Sequence, residues 1–153
     1  MLVVTIMTVV SLFAFINTAA AREKQTVRQA AITTLNILDQ ARLLSIQSQD
    51  KHYYEVKVNT ASTPNTITLS CYNTTIAPCR PDQITRLPSG ITINFTSAKV
   101  FFQPGSGRAA KNDSNPNQYY TSPETLTIQS TNWKIDIKIP PNGAIYMEEI
   151  QKI

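Results

Sequence analysis

The first 21 residues carry no charged side chain (MLVVTIMTVVSLFAFINTAAA), and from Arg22 to about Gln49 the chain is polar and amphipathic. No Pro or Gly occurs before Pro64, so one helix can run through both blocks. At 1.5 Å per residue this predicts a helical rod over residues 1–49, roughly 70 Å long. In its polar half Val27, Ala31, Leu35, Leu38, Ala41 and Leu44 recur at steps of four or three and form one apolar stripe. Lys24, Arg28, Asn36, Asp39 and Gln47 fall on the other side. One stripe requires one cover, and a β-sheet laid along the helix supplies it. A coiled-coil seam is the alternative, disfavoured by the small Ala31 and Ala41 and by the short repeat.

From His52 onward the apolar period changes from 3.6 to 2. Tyr54, Val56 and Val58 alternate with polar residues, as do Ile67, Leu69 and Cys71. Pro88-Ser89-Gly90 announces a turn before Ile91, Ile93 and Phe95, and Pro104-Gly105 stops the apolar run from Val100 to Gln103. Leu126 and Ile128, then Ile135, Ile137 and Ile139, alternate again, and Asn142-Gly143 leads into a last strand from Ala144 to Ile150. The pattern predicts about seven short strands, antiparallel because the connections are too short for crossover helices. The stretch between Gly105 and Pro123 is polar and reads as a long exposed loop. The fold class is therefore α+β: one long N-terminal helix, packed by its C-terminal half on an antiparallel β-sheet head. Residues 1–21 form a hydrophobic segment and residues 22–153 the head.

An uncharged run of about 20 residues can span a bilayer. It can also be a cleavable export signal, for which Ala19-Ala20-Ala21 offers a site, or a core helix. A retained helix is favoured, because no basic segment precedes the run and the helical pattern continues beyond Ala21. Cys71 and Cys79 bracket a short loop (CYNTTIAPC) whose spacing suits neither a redox CxxC nor a zinc knuckle. With an export-type segment upstream, a disulfide closing a hairpin loop is the favoured reading and two buried thiols the alternative; a disulfide implies an oxidising compartment. Arg22, Lys24 and Arg28 directly after the span would, by the positive-inside tendency, be cytoplasmic, which conflicts with a disulfide in the same head. A basic segment upstream of Met1 would resolve the conflict.

The net charge of +4 is spread out and reaches no density expected of a nucleic-acid arm. His52 is the only histidine, and nothing in the spacing brings Ser and Asp to it. Glu148-Glu149 is the only carboxylate pair, and strand alternation would point the two to opposite faces. Gly105-Ser106-Gly107-Arg108 is followed by no helix and reads as a turn, not a phosphate loop. The sequence predicts no enzyme, no cofactor and no metal site.

The segment LVVTIMTVVSLFAF resembles the hydrophobic helix of type IV pilins and type II secretion pseudopilins. AAITTLNILDQARLLSIQSQ, with Ala41-Arg42 and Ser45-Ile46, resembles the helix of the minor pilin and pseudopilin family called GspH/FimT. Val100 to Ala109 resembles that family's strand ending in a Pro-x-Gly turn, and Leu126 to Tyr146 its closing strands with a terminal Gly-x-Ile. The family's leader, its Phe-Thr-Leu-Ile-type mature start and its early glutamate would precede Met1, so the resemblance predicts them in frame upstream, with processing and N-methylation. It implies a non-catalytic filament subunit, held by a single pass in the bacterial inner membrane with its head outside the cytoplasm. After assembly the subunit would lie in a surface pilus or a periplasmic type II secretion pseudopilus. Leu2, Val3, Val4, Ile6, Val9, Val10, Leu12, Phe13 and Phe15 would pack first in the membrane and then in the filament core. Implied partners are other pilin or pseudopilin subunits, the inner-membrane assembly platform and the prepilin peptidase. Some FimT-like members bind DNA for uptake in competence through a basic tail. Here the tail is acidic, leaving Arg108 and Lys111 as the candidate partner or DNA contacts.

Overall fold

The computed structural model describes the backbone of residues 2–48, 52–72, 82–110 and 119–153, with side chains described from Thr18 onward except that of Tyr72. Among the described residues one helix, α1 (Leu2–Gln47), precedes every strand. With 46 residues it is about 69 Å long. Neither Gly nor Pro ends it. Its end is set by hydrogen bonding: the Ser45 carbonyl accepts from the Ser48 hydroxyl at 2.6 Å and from the backbone N–H of Gly105 at 2.9 Å, so distant chain satisfies a terminal acceptor.

Among the described residues ten strands follow, all paired antiparallel, in two sheets. The first contains β1 (Tyr53–Asn59), β2 (Thr66–Tyr72), β3 (Gln83–Arg86), β5 (Lys99–Phe102) and β6 (Ala109–Ala110) in the order β3-β2-β1-β5-β6. The second contains β4 (Thr92–Phe95), β7 (Glu124–Gln129), β8 (Trp133–Ile139) and β10 (Gln151–Lys152) in the order β10-β8-β7-β4, with β9 (Tyr146–Met147) also on β8. The helix lies chiefly on β1 of one sheet and β8 of the other. This is an α+β molecule, an N-terminal helix packed on antiparallel sheets.

The buried face of α1 comprises Val27, Ala30, Ala31, Thr34, Ile37, Leu38, Ala41 and Ser45, with Leu35 and Leu44 half-buried at its rim. Thr34 is tolerated there because its hydroxyl donates to the Ala30 carbonyl at 2.8 Å. Against this face the strands turn every second side chain inward, as in Val56 and Val58 of β1, Leu126 and Ile128 of β7, and Ile135, Ile137 and Ile139 of β8. Burial of a Leu, Ile or Val in this layer contributes roughly 1.5–3 kcal/mol relative to exposure. Phe101 and Phe102 break the alternation. Both are buried, Phe102 in this core and Phe101 on the other face of β5, opposite Ala110 and beneath the Lys99 ammonium at 4.9 Å from its ring centre.

Three differences from the sequence pattern raise seven strands to ten. β3 is an edge strand with a single apolar residue, Ile84, which stays exposed, so no alternation betrays it. β6 lies inside the stretch read as an open loop. Ala109 and Ala110 are buried, Ala110 bridges Tyr119, and Tyr120 is only 3% exposed. Burial pushes the Tyr120 phenol up to about 12. The last strand is split by a bulge. Met147 pairs with Ile137 and Gln151 with Lys134, so four steps on one side match three on the other. Glu148 and Glu149 sit in that bulge, not on a regular strand, and Glu148 donates its N–H to the Asp136 carbonyl at 2.8 Å while its carboxylate lies 3.8 Å from Lys138 Nζ.

Candidate functional site

The two ends of the buried half of α1 gather residues from remote parts of the chain. At the N-terminal end, where the helix enters the head, Glu23 reaches the β7–β8 turn. Its two carboxylate oxygens accept from the backbone N–H of Asn132 at 3.1 Å and from Asn132 Nδ2 at 2.8 Å. These bonds, foremost the side-chain bond from Asn132 and then one from Ser130, hold the Glu23 carboxyl below its ordinary range. The next residue, Lys24, places its ammonium 4.9 Å from the centre of the half-buried Trp133 ring, a cation–π geometry. The Asn132 carbonyl in turn accepts the backbone N–H of Ile153 at 2.9 Å. Helix, hairpin turn and C-terminal strand thus meet in one collar.

At the C-terminal end, Arg42 and Ile46 of α1 meet two turns, one from each sheet. In the β5–β6 turn Gly105 donates to Ser45, and Gly107, buried with φ +63°, donates to the Gln103 carbonyl at 2.9 Å. In the β8–β9 turn Gly143, buried with φ +76°, donates to the Pro140 carbonyl at 2.8 Å. The glycines are required by space as well as by backbone angle. A Cβ at Gly143 would overlap the carbonyl oxygen of Gly107, and one at Gly107 would come within 2.8 Å of the Ile46 side chain. The Arg42 side chain passes beside both positions, and its buried Nε has no hydrogen-bond partner among the described residues. One turn back on the helix, partial burial raises the Asp39 pKa, and the Arg42 charge opposes that rise.

Parts of the three stretches that carry the resemblance, Arg42 to Ile46 of the helix, Pro104 to Gly107 of the stretch Val100 to Ala109, and Gly143 of the stretch Leu126 to Tyr146, therefore meet at this junction. In the sequence they are readable only as a helical motif and two turns; their contact depends on how the two sheets are placed. Glu23, Asn132 and Trp133 were missed altogether, because Glu23 reads as one more polar helix residue and Asn132 as an ordinary turn residue. The nine apolar residues proposed for the membrane and filament core, Leu2 to Phe15, lie on α1, but their side chains are outside the described residues. Among the described residues no helix is long and apolar enough to cross a membrane. Cys71, at the end of β2, is disulfide-bonded, while Cys79, the only other cysteine in the chain, lies outside the described residues. Arg108 is exposed, with its guanidinium stacked 3.8 Å from the Tyr119 ring centre, and the Tyr119 hydroxyl donates to Gln103 at 2.7 Å. Lys111 lies outside the described residues. Among the described residues no group of three or more His, Cys, Asp and Glu side chains is placed to hold a metal ion.

Comparison with protein-family models, curated proteins and solved structures finds no match to this chain.

Proposed function

We propose that this chain is a non-catalytic subunit of a type IV pilin-like filament, a minor pilin or type II secretion pseudopilin of the kind its helix and turn motifs resemble. The observation that carries the reading is the division of labour along α1. One continuous helix of 46 residues has its C-terminal half buried on two sheets, and Val27 is the first of its described side chains in the core. From Leu2 to Ala21 the same helix runs for 20 residues, about 30 Å, and its sequence there carries no charge. An uncharged helix that long has two environments in which it avoids water, a bilayer and the interior of a helical bundle of like subunits. A filament subunit uses both in turn. The head it carries offers recognition surfaces and fixed turns, and the reading assigns it no reaction. Of the two candidate DNA contacts, Arg108 is stacked on Tyr119 and Lys111 lies outside the described residues, so neither adds support to the DNA-uptake alternative.

The test is fractionation of the full chain, expressed with its in-frame upstream sequence in a bacterium that assembles such filaments. The chain is expected to stay with the inner membrane through alkaline carbonate and to enter sheared filaments. Val9→Asp is expected to abolish both while leaving the circular dichroism of the head unchanged. Release by carbonate, or an exported protein whose N-terminus by mass spectrometry begins at Arg22, overturns the proposal.

A further inference from the structure

We infer that the collar around the helix entry is a docking surface for anionic phospholipid headgroups, with Arg22, Lys24, Lys152 and Trp133 as its contact residues. The inference rests on the membrane reading of the stem and adds a lipid preference to it. Its first support is a charge imbalance. Glu23, between Arg22 and Lys24, carries an exposed carboxylate whose two oxygens are turned to Asn132, and it offsets one of the three cations Arg22, Lys24 and Lys152, which leaves a net positive excess. Arg22 and Lys24 flank it on the helix surface, exposed and in no ion pair among the described residues. Lys152 is the cross-strand partner of Trp133 in the β8–β10 ladder, and residues directly opposite in a ladder share a face, so this exposed cation lies on the same side of the sheet as the indole. The neighbouring acids are Glu148 and Glu149, which line one groove together with Lys24 and Arg28; Glu148 is drawn to Lys138, and the exposed Arg28 offsets Glu149 in the count of charges.

The second support is position. The uncharged run ends at Ala21, so a bilayer holding it has its surface within a turn of Arg22 and Lys24. An indole with cations beside it at that level has the composition of an interfacial anchor: the ring suits the headgroup layer and the cations suit its phosphates. Cations at a membrane surface are attracted by anionic lipid, and the attraction is screened by salt. Lys24 holds the Trp133 ring from one side, so charge and ring form a single contact unit.

The chain supplies its own reporter, because Trp133 is the only tryptophan. The full chain is reconstituted into phosphatidylcholine vesicles with and without phosphatidylglycerol, each carrying a trace of headgroup spin label, and Trp133 quenching is measured. Quenching is expected to be stronger with phosphatidylglycerol and to lose that excess in high salt. Lys24→Gln and Lys152→Gln are each expected to weaken the preference about fivefold, and Lys24→Arg to keep it. Equal quenching in the two lipids, or an unchanged preference in the Lys24→Gln/Lys152→Gln double variant, overturns the lipid inference alone. Binding of the collar to an acidic protein surface instead would leave the lipids indistinguishable and counts against it. Failure of the chain to float with either vesicle overturns the membrane reading and the inference together.

Discussion

Gly143 shows how much of this head depends on one missing methyl group. It combines a left-handed backbone angle with a position where a Cβ would overlap the carbonyl oxygen of Gly107, a backbone atom that cannot rotate away. Gly143→Ala is expected to lower stability by about 2–4 kcal/mol, part from the left-handed angle and part from the forced shift of a turn. Gly107→Ala meets the tip of the Ile46 side chain instead, which can change rotamer, so the cost is expected to be smaller, about 1–2 kcal/mol. Urea unfolding of the two variants in detergent-solubilised full chain gives the order, and a larger loss for Gly107→Ala contradicts the account. The sequence shows both glycines as turn residues. It cannot show that the two turns touch, because that contact joins residues 36 positions apart on different sheets.

At the scale of elements, α1 was legible to within a few residues, and so were six of the strands. Helix and strand each leave a period, and the apolar residues of both fall on it. What escaped had no period to leave. β3 has one apolar residue, β6 has two residues, and the split of the last strand hangs on a single extra residue in its pairing. The helix stripe was read too narrowly for a related reason. Thr34 and Ser45 are polar by composition, yet both are fully buried, each satisfied by a carbonyl of the preceding turn. The difference between the two faces of α1 can be measured. Leu38 is fully buried and Leu43 is 55% exposed, so Leu38→Ala is expected to cost about 2–5 kcal/mol and Leu43→Ala less than about 1. Equal losses in thermal unfolding would mean that the outward face is covered in solution.

For the whole molecule the question is how head and stem are held in line. The Glu23–Asn132 bonds are fully exposed, and solvent screens them, so their contribution to global stability is small and their effect local. Glu23→Gln is expected to leave the unfolding midpoint nearly unchanged while raising amide hydrogen exchange over residues 18–27. The pH dependence has a definite sign. The Glu23 carboxyl is held below its ordinary value, so the clamp is complete above the usual carboxylate range and is lost as pH falls through the lowered one. Protection of these amides, taken relative to the intrinsic exchange rate at each pH, should therefore fall toward the variant's level in acid and not in base; a loss of protection in base would point to another group.

Asn132 has a mechanical consequence. It holds Glu23 through its amide groups and receives the N–H of Ile153 on its carbonyl, so the point where the stem enters the head is also the point where the last strand is tied down. A pull along the stem is delivered at that turn to β7, β8 and β10 together, and no single strand end is offered for peeling. Tension entering at the collar is thus divided between the β7–β8 hairpin and the last strand, beside the packing of the helix on the two sheets.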